Sequence, residues 1–128
     1  MKVIIAGGRD FNDEDRMRHE LQRVSWGWGN LEIVSGMARG ADTLGSEWAR
    51  NHDLPLKEFP ADWDKHGKAA GHIRNAEMAD YAEILIAFWD GTSKGTKGMI
   101  KLALDRGLEV HVYPYPLVDA GGTDALEI

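Results

Sequence analysis

The sequence contains no cysteine. That removes disulfide staples, thiolate metal centres and thiol nucleophiles together, and it suits a reducing compartment. Proline is scarce, with four in 128 residues, and two of the four, Pro114 and Pro116, sit where regular structure should end. No apolar run approaches the ~20 residues that cross a bilayer, and Met1 leads directly into a strand-like run rather than a leader-type segment. The expected setting is therefore cytoplasmic, with no membrane contact. Positive charge is in deficit: 15 Lys and Arg against 21 Asp and Glu give a formal net charge of −6. A protein that coats nucleic acid neutralises many phosphates, so a nucleic-acid partner is disfavoured. Several chemical signatures are missing too. There is no P-loop spacing, no Gly-x-Gly-x-x-Gly and no His-Glu-x-x-His grouping, and no serine stands in a nucleophile elbow. His66 and His72 are isolated, so neither a metal nor a cofactor is expected.

What remains suits one domain with one sizeable core, since 43% of the residues are hydrophobic. Lys2–Ala6 reads as a strand, bounded by Gly7-Gly8. Asp13–Trp26 reads as a helix capped by Asn12 or Asp13, with Met17, Leu21 and Val24 as its buried stripe. Leu31–Ser35 is the second strand, and Ala41–His52 a second helix with Leu44, Trp48 and Ala49 inward. Leu54–Phe59 is a short strand whose Pro55 places it at an edge or start. Pro60–Lys65 reads as a loop, and Gly67–Tyr81 as a helix with Ala69, Ile73, Ala76 and Ala79 inward. Ile84–Trp89 is a strand apolar throughout, Met99–Arg106 a helix stopped by Gly107, and Leu108–Tyr113 the last strand. This alternation implies an α/β, Rossmann-like three-layer sandwich with a mostly parallel five-stranded sheet of order 3-2-1-4-5. The domain should span residues 1–116, with 117–128 a loose acidic tail.

In such sheets ligands sit beyond the C-terminal strand ends, at the switch in strand order. The loops that should meet there are distinctive. The first strand ends in Gly7-Gly8-Arg9-Asp10 and the second in Ser35-Gly36-Met37-Ala38-Arg39-Gly40. The fourth ends in Asp90-Gly91-Thr92-Ser93-Lys94-Gly95-Thr96-Lys97-Gly98. Backbone N–H groups, hydroxyls and a helix N-terminus in such loops suit an anion. Arg9, Arg39, Lys94 and Lys97 would make the rim cationic within an acidic chain, as a pocket for a phosphorylated small molecule requires. The plainer alternatives are tight turns for Gly7 and Gly8, solvated arginines, and an i,i+3 ion pair between Arg74 and Glu77. Asp42, in the first turn of the second helix, would serve the helix dipole or touch a ribose hydroxyl. Trp26, Trp28 and Trp63 suit packing or subunit contact, whereas Trp89 directly precedes the main loop.

Taken together, five motifs resemble the YspA-type (YpsA-related) SLOG domains. They are Gly7-Gly8-Arg9-Asp10-Phe11, Ser35-Gly36-x-Ala38-Arg39-Gly40-Ala41-Asp42, Pro60-Ala61-x-Trp63, Gly71-x-x-Arg74-Asn75 and Gly91-x-Ser93-x-Gly95-Thr96. These domains belong to the Rossmann-like superfamily that includes the LOG proteins and the core of DNA-processing protein A. The resemblance covers roughly residues 1–113 and implies a nucleotide-derived ligand. LOG proteins hydrolyse the N-glycosidic bond of cytokinin riboside monophosphates, through a Pro-Gly-Gly-x-Gly-Thr-x-x-Glu motif and an arginine on the preceding helix. Arg74 stands at the place of that arginine, and Gly95-Thr96 match the Gly-Thr. Lys97, Gly98 and Met99 follow Thr96, so the glutamate is absent, and Met37 replaces a glycine common in the second loop.

The leading expectation is a binder or sensor of a nucleotide or nucleotide-derived phosphate. Its ligand-binding residues would be Gly7, Gly8, Arg9, Gly36, Arg39, Gly40, Asp42, Arg74, Gly91, Ser93, Lys94, Gly95 and Thr96. A nucleotide N-glycosidic-bond hydrolase using Asp10, Asp42 or Glu77 as acid or base is the alternative, and DNA binding the third. Five tryptophans in 128 residues exceed what one small core readily hides, so a homo-oligomer, most simply a dimer, is expected.

Overall fold

A computed structural model describes residues 1–25, 27 and 29–116, with the side chains of Val24 and Ser25 excepted. The expectations for Trp26, Trp28, Val24 and the 117–128 tail lie outside the described residues. Five strands form one all-parallel sheet: β1 (Lys2–Gly7), β2 (Glu32–Ser35), β3 (Leu56–Glu58), β4 (Ile84–Trp89) and β5 (Glu109–Pro114). Their order is β3-β2-β1-β4-β5, as the sequence predicts. The helices are α1 (Glu14–Ser25), α2 (Ala41–Asn51), α3 (Trp63–His66), α4 (Ala70–Tyr81) and α5 (Lys94–Asp105). A 3-10 turn, Gly67–Ala69, joins α3 to α4.

The alternation of side chains along β1 and β4 builds two cores, one on each face of the sheet. Val3, Ile5, Ile33, Ile84, Ile86 and Phe88 point to one face, where Phe11, Met17, Leu21, Ala41 and Ala49 cover them. Ile4, Ala6, Val34, Leu85 and Ala87 point to the other and meet Met78, Ala79, Met99, Ile100 and Ala103. The uninterrupted apolar run of β4 is thus the signature of a strand covered on both sides. β1 and β4 are hydrogen-bonded neighbours, with Val3 opposite Ile84 and Gly7 opposite Phe88. Their following loops therefore emerge side by side at the switch point.

Local chemistry explains where the observed boundaries depart from expectation. Asp13 is the cap of α1: its carboxylate accepts the Arg16 N–H at 3.0 Å. The inner face of α2 is made of small and polar residues, Ala41, Asp42, Gly45, Ser46 and Ala49, while the expected Leu44 and Trp48 pack only half-buried at its margin. A Cβ on Gly45 would stand 2.7 Å from Ile5 Cγ2, so the helix lies against β1 at a distance only glycine permits. The expected loop Pro60–Lys65 contains a helical turn, because the Asp62 carboxylate accepts the Lys65 N–H at 3.0 Å. Gly67, at φ 56°, ends that turn. In α4 the buried residues are Ala70, Met78 and Ala79, whereas Ala69 is exposed and Ile73 and Ala76 are half-buried. Helix α5 starts five residues before the expected Met99, because Ser93 caps it. Lys94, Gly95, Thr96, Lys97 and Gly98 therefore lie in helix rather than loop. Among the described residues, no helix is long and apolar enough to cross a membrane.

Candidate functional site

The loops after β1, β2 and β4 enclose a cleft of about 420 Å³ against α4. Its wall on the β4 side is the start of α5. The Asp90 carboxylate accepts the N–H groups of Thr92 at 2.8 Å and Ser93 at 2.7 Å. These two bonds hold its pKa below the ordinary carboxylate range. Gly91, at φ 86°, turns the chain between them. Trp89 Nε1 donates to the Ser93 carbonyl at 3.1 Å and fixes the loop from beneath. The Ser93 hydroxyl receives the Thr96 N–H at 3.5 Å and lies 3.3 Å from the Thr96 hydroxyl. Lys94 and Gly95 are the first two residues of α5, so their N–H groups have no acceptor within the helix and carry the positive end of its dipole. Ser93, Gly95 and Thr96 line the cleft.

The first and second loops do something different with their glycines. The Gly8 carbonyl accepts the N–H of Phe11 at 3.2 Å and of Ala41 at 3.2 Å. The first amide of α2 is thus spent on the β1 loop. A Cβ on Gly40 would lie 2.1 Å from the Gly8 carbonyl oxygen, and one on Gly7 would lie 2.4 Å from the Phe88 carbonyl oxygen. A Cβ on Gly8 would collide with the Tyr115 hydroxyl, which donates to Asp10 Oδ1 at 2.6 Å and ties the chain after β5 across the cleft's edge. That bond and burial both raise the Tyr115 pKa, burial the more.

The opposite wall is Arg74 of α4. Its Nη1 donates to the Gly36 carbonyl and its Nε to Asn75 Oδ1 at 2.8 Å. These bonds aim the guanidinium across the cleft, toward the β2 loop rather than toward Glu77, which is exposed. The alternative Arg74–Glu77 ion pair is not formed. Burial lowers the Arg74 pKa, as does nearby Arg9, while Asp42 opposes the change. Asp42 lies beneath, 5% exposed, with Oδ2 accepting the Ala38 N–H at 3.4 Å. A Cβ on Gly36 would meet Asp42 Oδ2 at 2.8 Å and Arg74 Nη1 at 2.9 Å, so that glycine opens the space the two charges share. Burial pushes the Asp42 pKa up to about 6, against the pull of its backbone hydrogen bonds and of Arg74. The carboxyl thus exchanges a proton near neutral pH in contact with the cleft.

Of the residues expected from sequence, Gly7, Gly8, Arg9, Asp10, Asp42, Arg74, Ser93, Gly95 and Thr96 line this cleft. Gly36, Gly40 and Gly91 shape it from behind. Arg39 lines an adjoining shallow depression with Arg9, Asn12 and Thr43, Lys94 is exposed beside the cleft, and Glu77 lies outside it. Ala6, Ala38, Asn75, Met78, Asp90 and Met99 complete the lining and are not among the ligand-binding residues expected from the sequence. Asp90 was legible as an Asx turn, an aspartate just before Gly-Thr-Ser, whereas nothing local marks Met78 or Met99 as more than core. Among the described residues no three His, Asp or Glu side chains gather to hold a metal ion.

The chain is 35% identical over 119 residues to the Gene 61 protein of Mycobacterium phage D29, an overlap covering 85% of this chain and 93% of the phage protein. The family model described as YspA, cpYpsA-related SLOG family matches residues 1–66, which carry β1, α2 and two of the three glycine-bearing loops that frame the cleft. On the match over half its length and on that relative, the chain belongs to the YspA, cpYpsA-related SLOG family, a membership that points to a nucleotide-related function.

Proposed function

We propose that the cleft binds a nucleotide or nucleotide-derived ligand through its phosphate, as a binding or sensing site. The observation that carries this reading is the opposition of Arg74 to the open N-terminus of α5 across one cleft. A guanidinium offers a planar fork to phosphate oxygens, and the first turn of α5 offers the Gly95 N–H and the Thr96 hydroxyl as donors. Arg9 adds charge at the mouth. Both backbone donors go to Oδ1 of the ionised Asp90, so this carboxylate orders the loop and partly offsets the positive field. Titration calorimetry with AMP tests the reading. Arg74→Ala should weaken binding by about 1.5–3 kcal/mol, the range for a charge-assisted hydrogen bond, and Arg74→Lys should recover only part of it, because the fork is lost. Unchanged affinity in a folded Arg74→Ala variant refutes it.

A second reading, hydrolysis of an N-glycosidic bond, is favoured by Asp42 alone. A buried carboxyl with a pKa of about 6 lining the same cleft has the proton affinity of a general acid for a departing base. The expected alternatives Asp10 and Glu77 lack this environment: Asp10 is exposed and bonded to Tyr115, and Glu77 is outside the cleft. Release of free base from AMP that vanishes in Asp42→Asn supports hydrolysis, whereas bound but intact AMP supports sensing. DNA binding has only the net charge of −6 to be weighed against it, and that charge opposes a long phosphate-tracking surface.

A further inference from the structure

Four large apolar side chains are exposed among the described residues, and two of them, Trp63 at 52% and Met37 at 50%, belong to segments that border Arg74. Met37 follows Gly36, whose carbonyl holds Arg74 Nη1. Trp63 stands on the other side: a Cβ on Gly71 would lie 3.6 Å from Trp63 Cη2 and 3.8 Å from Arg74 Nη2. The indole edge and the guanidinium therefore border one notch, which the missing side chain of Gly71 leaves open. Isolated apolar residues on a surface need no explanation, but a pair flanking the cation of a cleft does.

Both residues are also held there at a cost. Met37 adopts φ 63°, a left-handed conformation that a non-glycine residue rarely takes, and its exposed side chain recovers little of that strain by packing. Trp63 opens a one-turn helix whose position is fixed by the Asp62 carboxylate on Lys65 N–H and the Asp62 carbonyl on His66 N–H. The indole is thus presented rather than tucked away. Among the described residues no aromatic side chain lines the cleft itself, and Tyr115 at its edge is packed edge-on against Phe11, so the exposed Trp63 is the flat apolar surface beside Arg74 that a planar group attached to a bound phosphate could meet.

We infer that Trp63 is the stacking ledge for the base of a nucleotide whose phosphate lies between Arg74 and α5. This rests on the phosphate-binding reading of the cleft and adds a specificity residue to it. Every base has a π-face, so the ledge selects nucleotides over sugar phosphates without distinguishing one base strongly from another. The Arg74 guanidinium between indole and cleft contributes a cation–π contact to the same base.

Calorimetric titration of the full chain with two probes, AMP and ribose 5-phosphate, separates the two levels. Trp63→Ala should weaken AMP about tenfold and leave ribose 5-phosphate within twofold, and Trp63→Phe should restore most of the AMP affinity. Gly71→Ala, which fills the notch at ordinary contact distances, should also weaken AMP selectively. Equal AMP affinity in wild type and Trp63→Ala, or equal loss of both probes, overturns the ledge. Ribose 5-phosphate binding as tightly as AMP to wild type overturns the ledge while leaving the phosphate site standing. If neither probe binds wild type, the cleft reading falls and takes the ledge with it.

Discussion

Replacing Asp42 with asparagine should stabilise this protein at neutral pH and leave its stability at pH 4 nearly unchanged. Asp42 is buried, and its pKa stands at about 6 against an ordinary value of 3.8. Between those values the folded state holds a proton that the unfolded state has released. The stabilising contribution of the neutral carboxyl is therefore complete below about pH 4 and is lost as pH rises through 6. A shift of roughly two units corresponds to about 3 kcal/mol at 1.36 kcal/mol per unit. Arg74 reduces the benefit of removing the charge, since it loses the one carboxylate that opposes its own desolvation. A net gain of about 1–2 kcal/mol for Asp42→Asn at pH 7.5 follows. The amide oxygen can still accept the Ala38 N–H, so no cap is lost. Urea unfolding of both proteins from pH 4 to pH 8 measures it: the wild type should lose stability across pH 4–6 and the variant should lose less. A variant destabilised equally at pH 4 and pH 7.5, or a wild-type slope unchanged by the substitution, refutes the assignment of Asp42 as a strained buried acid.

The remaining outcomes concern glycines and assembly. Gly95→Ala should raise stability by up to about 1 kcal/mol, since it removes a glycine from a helix and its Cβ meets no described atom within 4 Å; the same methyl should weaken AMP in calorimetry, and a neutral effect on AMP would separate Gly95 from the ligand. Gly45→Ala should behave oppositely, losing about 1–3 kcal/mol in urea melts because its Cβ would press on Ile5; a stabilised variant would show that α2 can shift freely. A homodimer, proposed from the tryptophan content, should give twice the 14.2 kDa chain mass by light scattering, and a monomer mass at high micromolar concentration would rule it out.

The sheet was legible because both of its central strands are covered on two faces, so hydrophobic runs and glycine breaks alone marked them. The phase of α4 was not. Ala70, Arg74 and Met78 follow at intervals of four and share one face, and that face carries the cleft's arginine between two buried residues. A reading by hydrophobicity rejects a stripe with a charge in its middle and moves to Ile73 and Ala76. The inner face of α2 was obscured in the same way, since Asp42 and Ser46 sit inward while Leu44 and Trp48 lie at the margin. Ser46 reaches Ser35 at 3.0 Å and the Asp42 carbonyl at 3.1 Å, which satisfies its hydroxyl where an apolar residue was the simpler expectation. The start of α5 was missed for a different reason. Glycine and threonine lower helix propensity, but the Ser93 cap and the Asp90 turn supply what the propensity lacks.

The glycines of the three loops resemble one another in sequence and divide in space. Gly7, Gly8, Gly36 and Gly40 are required by close neighbours: a Cβ at each would stand within 3 Å of another atom. Removing their side chains lets the β1 loop seal the end of α2 and lets Asp42 and Arg74 share the cleft floor. Gly95 and Gly98 have no such neighbour among the described residues and lie in a helix, where glycine costs stability. A local turn does not explain them, because the chain does not turn there. Close packing does not explain them either. For Gly95, which lines the cleft, open space above the first turn of α5 has a use only when something outside the chain approaches its amides. The physical case for a ligand therefore rests less on the number of glycines than on the one that lines the cleft and that nothing in the fold requires.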